Sequence, residues 1–146
     1  MKAEYPRALH VEVLGTYRLR IRWDTGETLE VDLADKLNGP ALARLRDPAL
    51  FARAHVACGG ACIEWEDSEF GADNVYAWTR EQMGEASHEM FFGWMCRNNL
   101  TLDAAAQALG MSRRMVAYYR TGRKPIPRHI WLACIGWESL RAGRAA

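Results

Sequence analysis

Residues 17–33 read YRLRIRWDTGETLEVDL, and their alternation decides how the chain begins to fold. Tyr17, Leu19, Ile21 and Trp23 fall at every second position with Arg18, Arg20 and Arg22 between them, the pattern of a strand buried on one face. Asp24-Thr25-Gly26 then supplies a three-residue loop with glycine where a left-handed residue is needed. Leu29, Val31 and Leu33 alternate with Thr28, Glu30 and Asp32 beyond it. Pairing Trp23 with Glu27 sets Ile21 against Leu29 and Leu19 against Val31 inside, and Arg20 against Glu30 and Arg18 against Asp32 outside. The outer arginines thereby acquire carboxylate partners.

Upstream, Leu9, Val11 and Val13 make an earlier strand ended by Gly15, so the opening reads as a three-stranded meander. Downstream, Pro40 suits a first helical position, and Leu42, Leu45 and Phe51 would pack a short helical segment onto the sheet. Gly59-Gly60 reads as the two-residue turn of a second hairpin, pairing Val56 with Ile63, His55 with Glu64 and Arg53 with Glu66. An acidic stretch and a helical turn carrying Val75, Tyr76 and Trp78 close this part. In the expected hairpin Cys58 and Cys62 point to opposite faces, which argues against both a metal site and a disulfide, because metal ligands must converge. Cys96 and Cys134 fall in helical apolar patterns and read as small core residues. His10, His55, His88 and His129 show no ligand spacing.

Between Gly84 and Ala86 the apolar period changes from two to helical. The chain is therefore read as α+β: a small antiparallel sheet domain with one or two short helices over residues 1–83, then an all-α domain of about four helices over 84–146. Charge divides at the same place. Residues 1–83 hold ten Lys/Arg against fourteen Asp/Glu, a net −4, and residues 84–146 hold nine against four, a net +5, so only the second part is attracted to phosphate. With 49% of its residues apolar and 25% charged the chain has the balance of a soluble globular protein, which excludes a disordered tail or a membrane protein. Residues 1–7 lack the apolar core of a signal peptide, so the cytoplasm is the expected compartment.

In the second part Met90, Phe91, Trp94 and Met95 outline a first helix running to about Asn98. Thr101 caps a second, with Asp103 in its first turn, a packing face of Ala105, Ala106 and Leu109, and Gly110 as its stop. Ser112 caps a third that ends at Gly122. Its Met115, Val116 and Tyr119 face inward, which leaves Arg113, Arg114, Ala117, Tyr118 and Arg120 pointing away from the core. Paired arginines at a helix start suit two-point contact with guanine, whereas Arg123 and Lys124, just after the helix, suit phosphate. Pro125 and Pro127 lead into a last helix whose stripe of Ile130, Trp131, Cys134, Ile135 and Trp137 reads as core or as a dimer contact.

Residues 101–125, TLDAAAQALGMSRRMVAYYRTGRKP, resemble the lambda-repressor-like helix-turn-helix family, with its capped helix, LG turn, Ser-started recognition helix and Gly-basic-Pro ending. The resemblance implies double-stranded DNA as partner and places Arg113, Arg114, Ala117 and Tyr118 at base-touching positions. Leu102 stands where that family frequently has glutamine. Residues 5 to about 80 resemble the bacterial domain of unknown function 2442, through the meander, the Phe51 stretch, and Ile63-Glu64-Trp65 followed by Gly71-Ala72-Asp73 and Tyr76. That likeness implies a small α+β domain, sometimes joined to a helix-turn-helix and sometimes encoded beside toxin-like proteins.

The leading expectation is a sequence-specific transcriptional regulator that binds DNA as a homodimer, in an antitoxin-like and autoregulatory role. The alternative is an interaction module whose acidic first domain binds a partner protein such as a toxin. Asp67, Glu69 and Asp73 cluster, but no nucleophile, base or phosphate loop stands beside them, so neither an enzyme nor a cofactor is expected.

Overall fold

The computed structural model describes residues 5–145; residues 1–4, part of the segment read for a leader, and residue 146 lie outside it. The chain divides into two compact units, one ending at Gln82 and the other beginning at Met83. The fold is α+β, and among the described residues it contains two three-stranded antiparallel sheets with short helices, followed by helices alone.

The first sheet is the meander β1 (Ala8–Gly15), β2 (Arg18–Trp23) and β3 (Thr28–Asp32). Its β2–β3 register is the one the alternation dictates, with Ile21 opposite Leu29, Leu19 opposite Val31 and Arg20 opposite Glu30. The Trp23 N–H donates to the Glu27 carbonyl at 2.8 Å, and Gly26 takes the left-handed position at φ 95°. Leu19, Ile21, Trp23 and Val31 are buried. Outside, Arg20 reaches Glu12 (3.3 Å) and Glu30 (3.1 Å). Arg18 bonds Glu30 (3.0 Å) rather than Asp32 directly across, because the Asp32 carboxylate accepts the Ala34 N–H (2.8 Å) and closes the turn after β3.

One assignment in β1 needs correction. The register shifts between Ala8 and His10, and this bulge rotates Ala8 into the core while Leu9, expected inside, is 54% exposed. The helical segment after β3 is also not one helix. A 3-10 turn covers Ala34–Lys36 and a second covers Pro40–Arg46, then Asp47 becomes extended (ψ 115°) before Pro48, since the residue preceding proline avoids the helical region. Asp47 caps the single turn α1 (Pro48–Phe51) by accepting the Ala49 N–H at 3.0 Å. Leu45 and Phe51 are buried and Leu42 packs beside them.

The second sheet, β4 (His55–Ala57), β5 (Cys62–Trp65) and β6 (Ser68–Gly71), contains a strand where an acidic loop was expected. After it, α2 (Ala72–Gln82) runs for eleven residues and buries Val75, Tyr76, Ala77, Thr79 and Arg80. The expected pairings of Val56 with Ile63 and His55 with Glu64 are present, and Arg53 reaches Glu66 at 3.4 Å. The turn, however, is not the two-residue Gly59-Gly60 type. Cys58, Gly59 and Gly60 all take positive φ (55°, 64° and 97°), which lengthens the loop and curls it back. Cys58 therefore does not point away from Cys62. The two sulfurs and a Glu69 carboxylate oxygen lie within 4.8 Å of one another, and the Cys62 thiol is pushed up to about 12, first by its hydrogen bond with Cys58 and then by burial.

Aromatic rings run through the core of this unit. Tyr17 meets Phe51 edge-on at 5.5 Å, Phe51 meets Trp65 at 5.4 Å, Trp65 meets Phe70 at 5.7 Å and Phe70 meets Trp78 at 5.2 Å. The Trp65 indole N–H is satisfied by the Phe51 carbonyl at 2.9 Å. Two long-range polar locks fasten α2 to the first sheet. Gln82 exchanges two bonds with the backbone of Asp32 (2.9 and 2.7 Å), capping the outer edge of β3. Arg80, buried, pairs with Glu27, whose carboxylate also accepts from the Tyr76 hydroxyl (2.7 Å) and the Thr25 hydroxyl (2.7 Å).

The second unit holds α3 (His88–Arg97), α4 (Leu102–Leu109), α5 (Arg113–Thr121) and α6 (Arg128–Ala145). Phe91, Trp94, Met95, Ala105, Ala106, Val116, Tyr119, Ile126 and Cys134 form its core, and an isolated bridge joins Ala86 to Ile126. One residue read as core is not: Cys96 is exposed on α3, because that helix buries a stripe narrower than its apolar pattern. Of the α6 stripe read as core or as a dimer contact, Cys134 is buried and Ile135 is 47% exposed. α6 is tied to the end of α3 by Glu138, which accepts from Arg97 (3.3 Å) and Asn98 (2.7 Å); these bonds, Arg97 first, hold its carboxyl below the usual range. Among the described residues no helix is long and apolar enough to cross a membrane.

Candidate nucleic-acid interface

The interface is built from two helix ends and the turn between them. Thr101 caps α4 by accepting the Ala104 N–H (3.1 Å), and Ser112 caps α5 by accepting the Met115 N–H (3.2 Å). Between them Gly110 adopts φ 67°, and the Gly110 and Met111 N–H groups return to α4 carbonyls, so the chain turns within three residues. Gly122 ends α5 in the same way at φ 81°. Ala105 and Ala106 are buried, and their small side chains let α4 lie close under α5, which contributes Val116 and Tyr119 to the core. Leu102, at the start of α4, packs beside this core rather than offering a polar group.

The outward face of α5 gathers most of the residues singled out from the sequence. Ser112, Arg113 and Arg114 are exposed, Ala117 and Tyr118 are half-buried, and Lys124 is exposed just beyond the helix. Arg114 donates from Nε to the Tyr118 hydroxyl at 2.8 Å and stacks its guanidinium over the ring at 5.5 Å, while Lys124 Nζ lies 5.1 Å from the same ring centre. Tyr118 thus contacts two cations, and its bond to Arg114 is made through Nε rather than through a terminal nitrogen. Spacing of four residues along a helix could have revealed the Arg114–Tyr118 pair in the sequence. Arg113 sits 3.6 Å from Asp103 of α4, a pairing the sequence reading missed. Both partners are exposed, so the ion pair is weak and yields readily to a phosphate or a base edge.

Arg120 and Arg123 are placed differently. Arg120 lies on the flank of α5 beside the buried stripe, half-buried, with its Nε shielded and without a hydrogen-bond partner. Arg123 is half-buried and its backbone N–H closes the helix end on the Tyr118 carbonyl at 3.0 Å. Together these residues present two-pronged donors at a helix start with point charges behind it, an arrangement able to grip paired acceptors such as the N7 and O6 edge of guanine or the oxygens of phosphate.

Fold and interface together define a two-unit chain in which an acidic α+β unit precedes a compact helical unit presenting a basic helix. Residues 8–81, about half of its length, match the family described as protein of unknown function (DUF2442), and the chain belongs to that family. It is also similar to a solved structure from Nitrosomonas europaea described as a candidate DNA-binding protein, with 59% identity over 97% of this chain and 92% of that one, and a TM-score of 0.90. No curated protein matches the chain.

Proposed function

We propose that the chain is a sequence-specific regulator of transcription that binds double-stranded DNA through a lambda-repressor-like helix-turn-helix formed by α4 and α5. The observation that carries this reading is the capped start of α5, where Arg113 and Arg114 stand exposed on a helix braced by its neighbour across a three-residue turn. Stability alone would not select arginines there. They oppose the positive end of the helix dipole, the first turn of α5 contains no acidic residue, and Asp103 of α4 offers Arg113 only a weak exposed pair. A helix start that disfavours cations in isolation becomes suitable when an anionic groove lies against it. The net +5 of residues 84–146 and the DNA-binding description of the Nitrosomonas europaea structure support the same reading.

The regulator acts in the cytoplasm, and an antitoxin-like, autoregulatory role is the form of regulation that the family resemblances favour. Its test is selection from random duplexes with the full chain. One enriched site, bound with an affinity that falls steeply as salt rises, is the expected result; recovery of unselected sequence alone rejects the reading.

The regulator works as a homodimer through α6. Leu132, Ile135 and Leu140 are 52%, 47% and 65% exposed, and they recur three and five residues apart along one side of an eighteen-residue helix. Gly136 and Gly143 lie among them, and a Cβ added at either would meet open space, so a second helix could approach closely. A second copy placed here would pair two recognition helices for two half-sites. Leu132→Glu with Ile135→Glu is expected to give a monomer by sedimentation and to weaken binding to the selected site by about 10²-fold, since joined half-sites bind at high effective concentration. A wild-type chain that sediments as a monomer on its bound duplex would refute the dimer.

A further inference from the structure

We propose that Cys58, Cys62 and Glu69 form an open binding site for one thiophilic divalent cation of the zinc class, held by two thiolates and one carboxylate with the fourth position left to water. The placement follows from the second sheet. Cys62 faces Gly71 across the β5–β6 ladder and Glu64 faces Glu69, so Cys62 and Glu69 share a face as diagonal neighbours, a separation that a long side chain can span. Glycine opposite Cys62 puts no side chain of its own in the way. Glu64 is engaged on its other side by His55 at 3.6 Å, which leaves Glu69 as the carboxylate of the group.

Cys58 comes from the other edge. It follows Ala57, which pairs with Cys62, and the run of positive φ through Cys58, Gly59 and Gly60 returns its sulfur to the same face. This loop is fixed from outside the cluster. Gly60 lies so close to β1 that a Cβ there would come within 2.6 Å of the Ala8 carbonyl oxygen, and Arg7 donates to the Gly59 carbonyl at 3.0 Å. The three ligand atoms consequently converge within 4.8 Å of one another. Tetrahedral zinc, with bonds of about 2.3 Å to sulfur and about 2.1 Å to oxygen, holds its ligands roughly 3.5–3.8 Å apart, so a side-chain adjustment of about 1 Å closes the site. Three residues between the cysteines fall within the usual spacing of zinc-binding pairs.

The carboxylate distinguishes a cation site from a simple dithiol. A disulfide would use both sulfurs and leave Glu69 against them without a task, whereas a divalent ion draws all three groups together. Binding replaces the two thiol protons, which pass to the buffer, and the resulting centre carries a net −1. Cys58 and Glu69 are exposed and Cys62 is half-buried, so the ion can enter from solvent and keep a water. The ion would tie the 58–61 loop to β5 and β6.

The test is titration of the reduced full-length chain with Co2+ in the absence of air. The expected result is a thiolate-to-cobalt charge-transfer band saturating at one equivalent and bleached by one equivalent of Zn2+. Cys58→Ser and Cys62→Ser each abolish the band, Cys96→Ser leaves it intact, and Glu69→Gln weakens binding by at least about tenfold. Circular dichroism confirms that each variant is folded. Absence of the band in folded wild type, its undiminished survival in either Cys58→Ser or Cys62→Ser, or an unchanged affinity in Glu69→Gln overturns the site. A Cys58–Cys62 disulfide formed in air, coupled with no cobalt binding after reduction, overturns it equally.

Discussion

Arg80→Met should destabilise the first unit by about 3–5 kcal/mol, the cost of leaving one member of a buried ion pair without the other. Arg80 is 5% exposed, and it donates to both Glu27 and the Tyr76 hydroxyl. Methionine fills similar volume but strands the Glu27 carboxylate in a partly buried position, where the Tyr76 and Thr25 hydroxyls still donate to it. Glu27 retains some contact with solvent, so the lower part of that range is expected. For a unit of this size each kcal/mol moves the melting temperature by roughly 4–8 °C, and a loss of 3 kcal/mol is readily seen in urea or heat. The double variant Arg80→Met with Glu27→Leu should recover much of the loss, because no unpaired charge remains buried. A single variant within 1 kcal/mol of wild type would show that this lock contributes little.

The contrast between what the sequence revealed and what it hid follows physical lines. The β2–β3 register was legible because a seven-residue alternation, Tyr17 to Trp23, met a glycine loop of defined geometry, and one buried face leaves no freedom to slip. The helix ends were legible for a similar reason. Thr101, Ser112, Gly110 and Gly122 act within one turn of their own position, and all four serve as read. Features set by distant contacts stayed hidden. Ser-Glu-Phe-Gly, only four residues with two polar members, becomes β6 because β5 offers it an edge. Arg80 looks like an ordinary helix-surface charge until the fold brings Glu27, fifty-three residues away, beside it. The bulge after Ala8 exchanges the inward residue without any local signal, and the left-handed Cys58 reverses a side-chain direction that a two-residue turn would have fixed.

The same distinction applies to the basic helix. Capping, turn and exposure of Arg113 and Arg114 were readable, while the partners that orient them were not. Asp103 near Arg113 and Tyr118 beneath Arg114 belong to three-dimensional neighbourhoods, though the second lies at helical spacing. Under the proposed reading these neighbours would bear on specificity, since a long side chain already held in place loses less freedom on contact with a base. Arg114 is the better anchored of the two, and Arg113 must first leave Asp103.

Replacing both Arg113 and Arg114 by alanine should therefore remove most discrimination between the selected site and random DNA. Each two-pronged contact to guanine is worth about 1–3 kcal/mol, so the pair accounts for about 2–6 kcal/mol per recognition helix, roughly 30-fold to 10⁴-fold in affinity for each half-site it reads. Binding to random duplex should fall far less, as the remaining cations still neutralise phosphate. Lys124→Ala gives the opposite pattern, weakening all sequences alike and lowering the slope of affinity against salt by about one unit. Tyr118→Phe keeps the ring under Arg114 and Lys124 but removes the hydroxyl that accepts from Arg114 at 2.8 Å, so its loss should be smaller and confined to the selected site. Asp103→Ala should preserve or improve affinity, because it frees Arg113 from its weak pair. All these side chains lie outside the core, and the variants should melt near the wild-type temperature. Competition binding at fixed salt, with the selected duplex and a scrambled one, separates the outcomes. If the double alanine variant weakens both duplexes equally, the arginines hold the backbone and the sequence is read elsewhere.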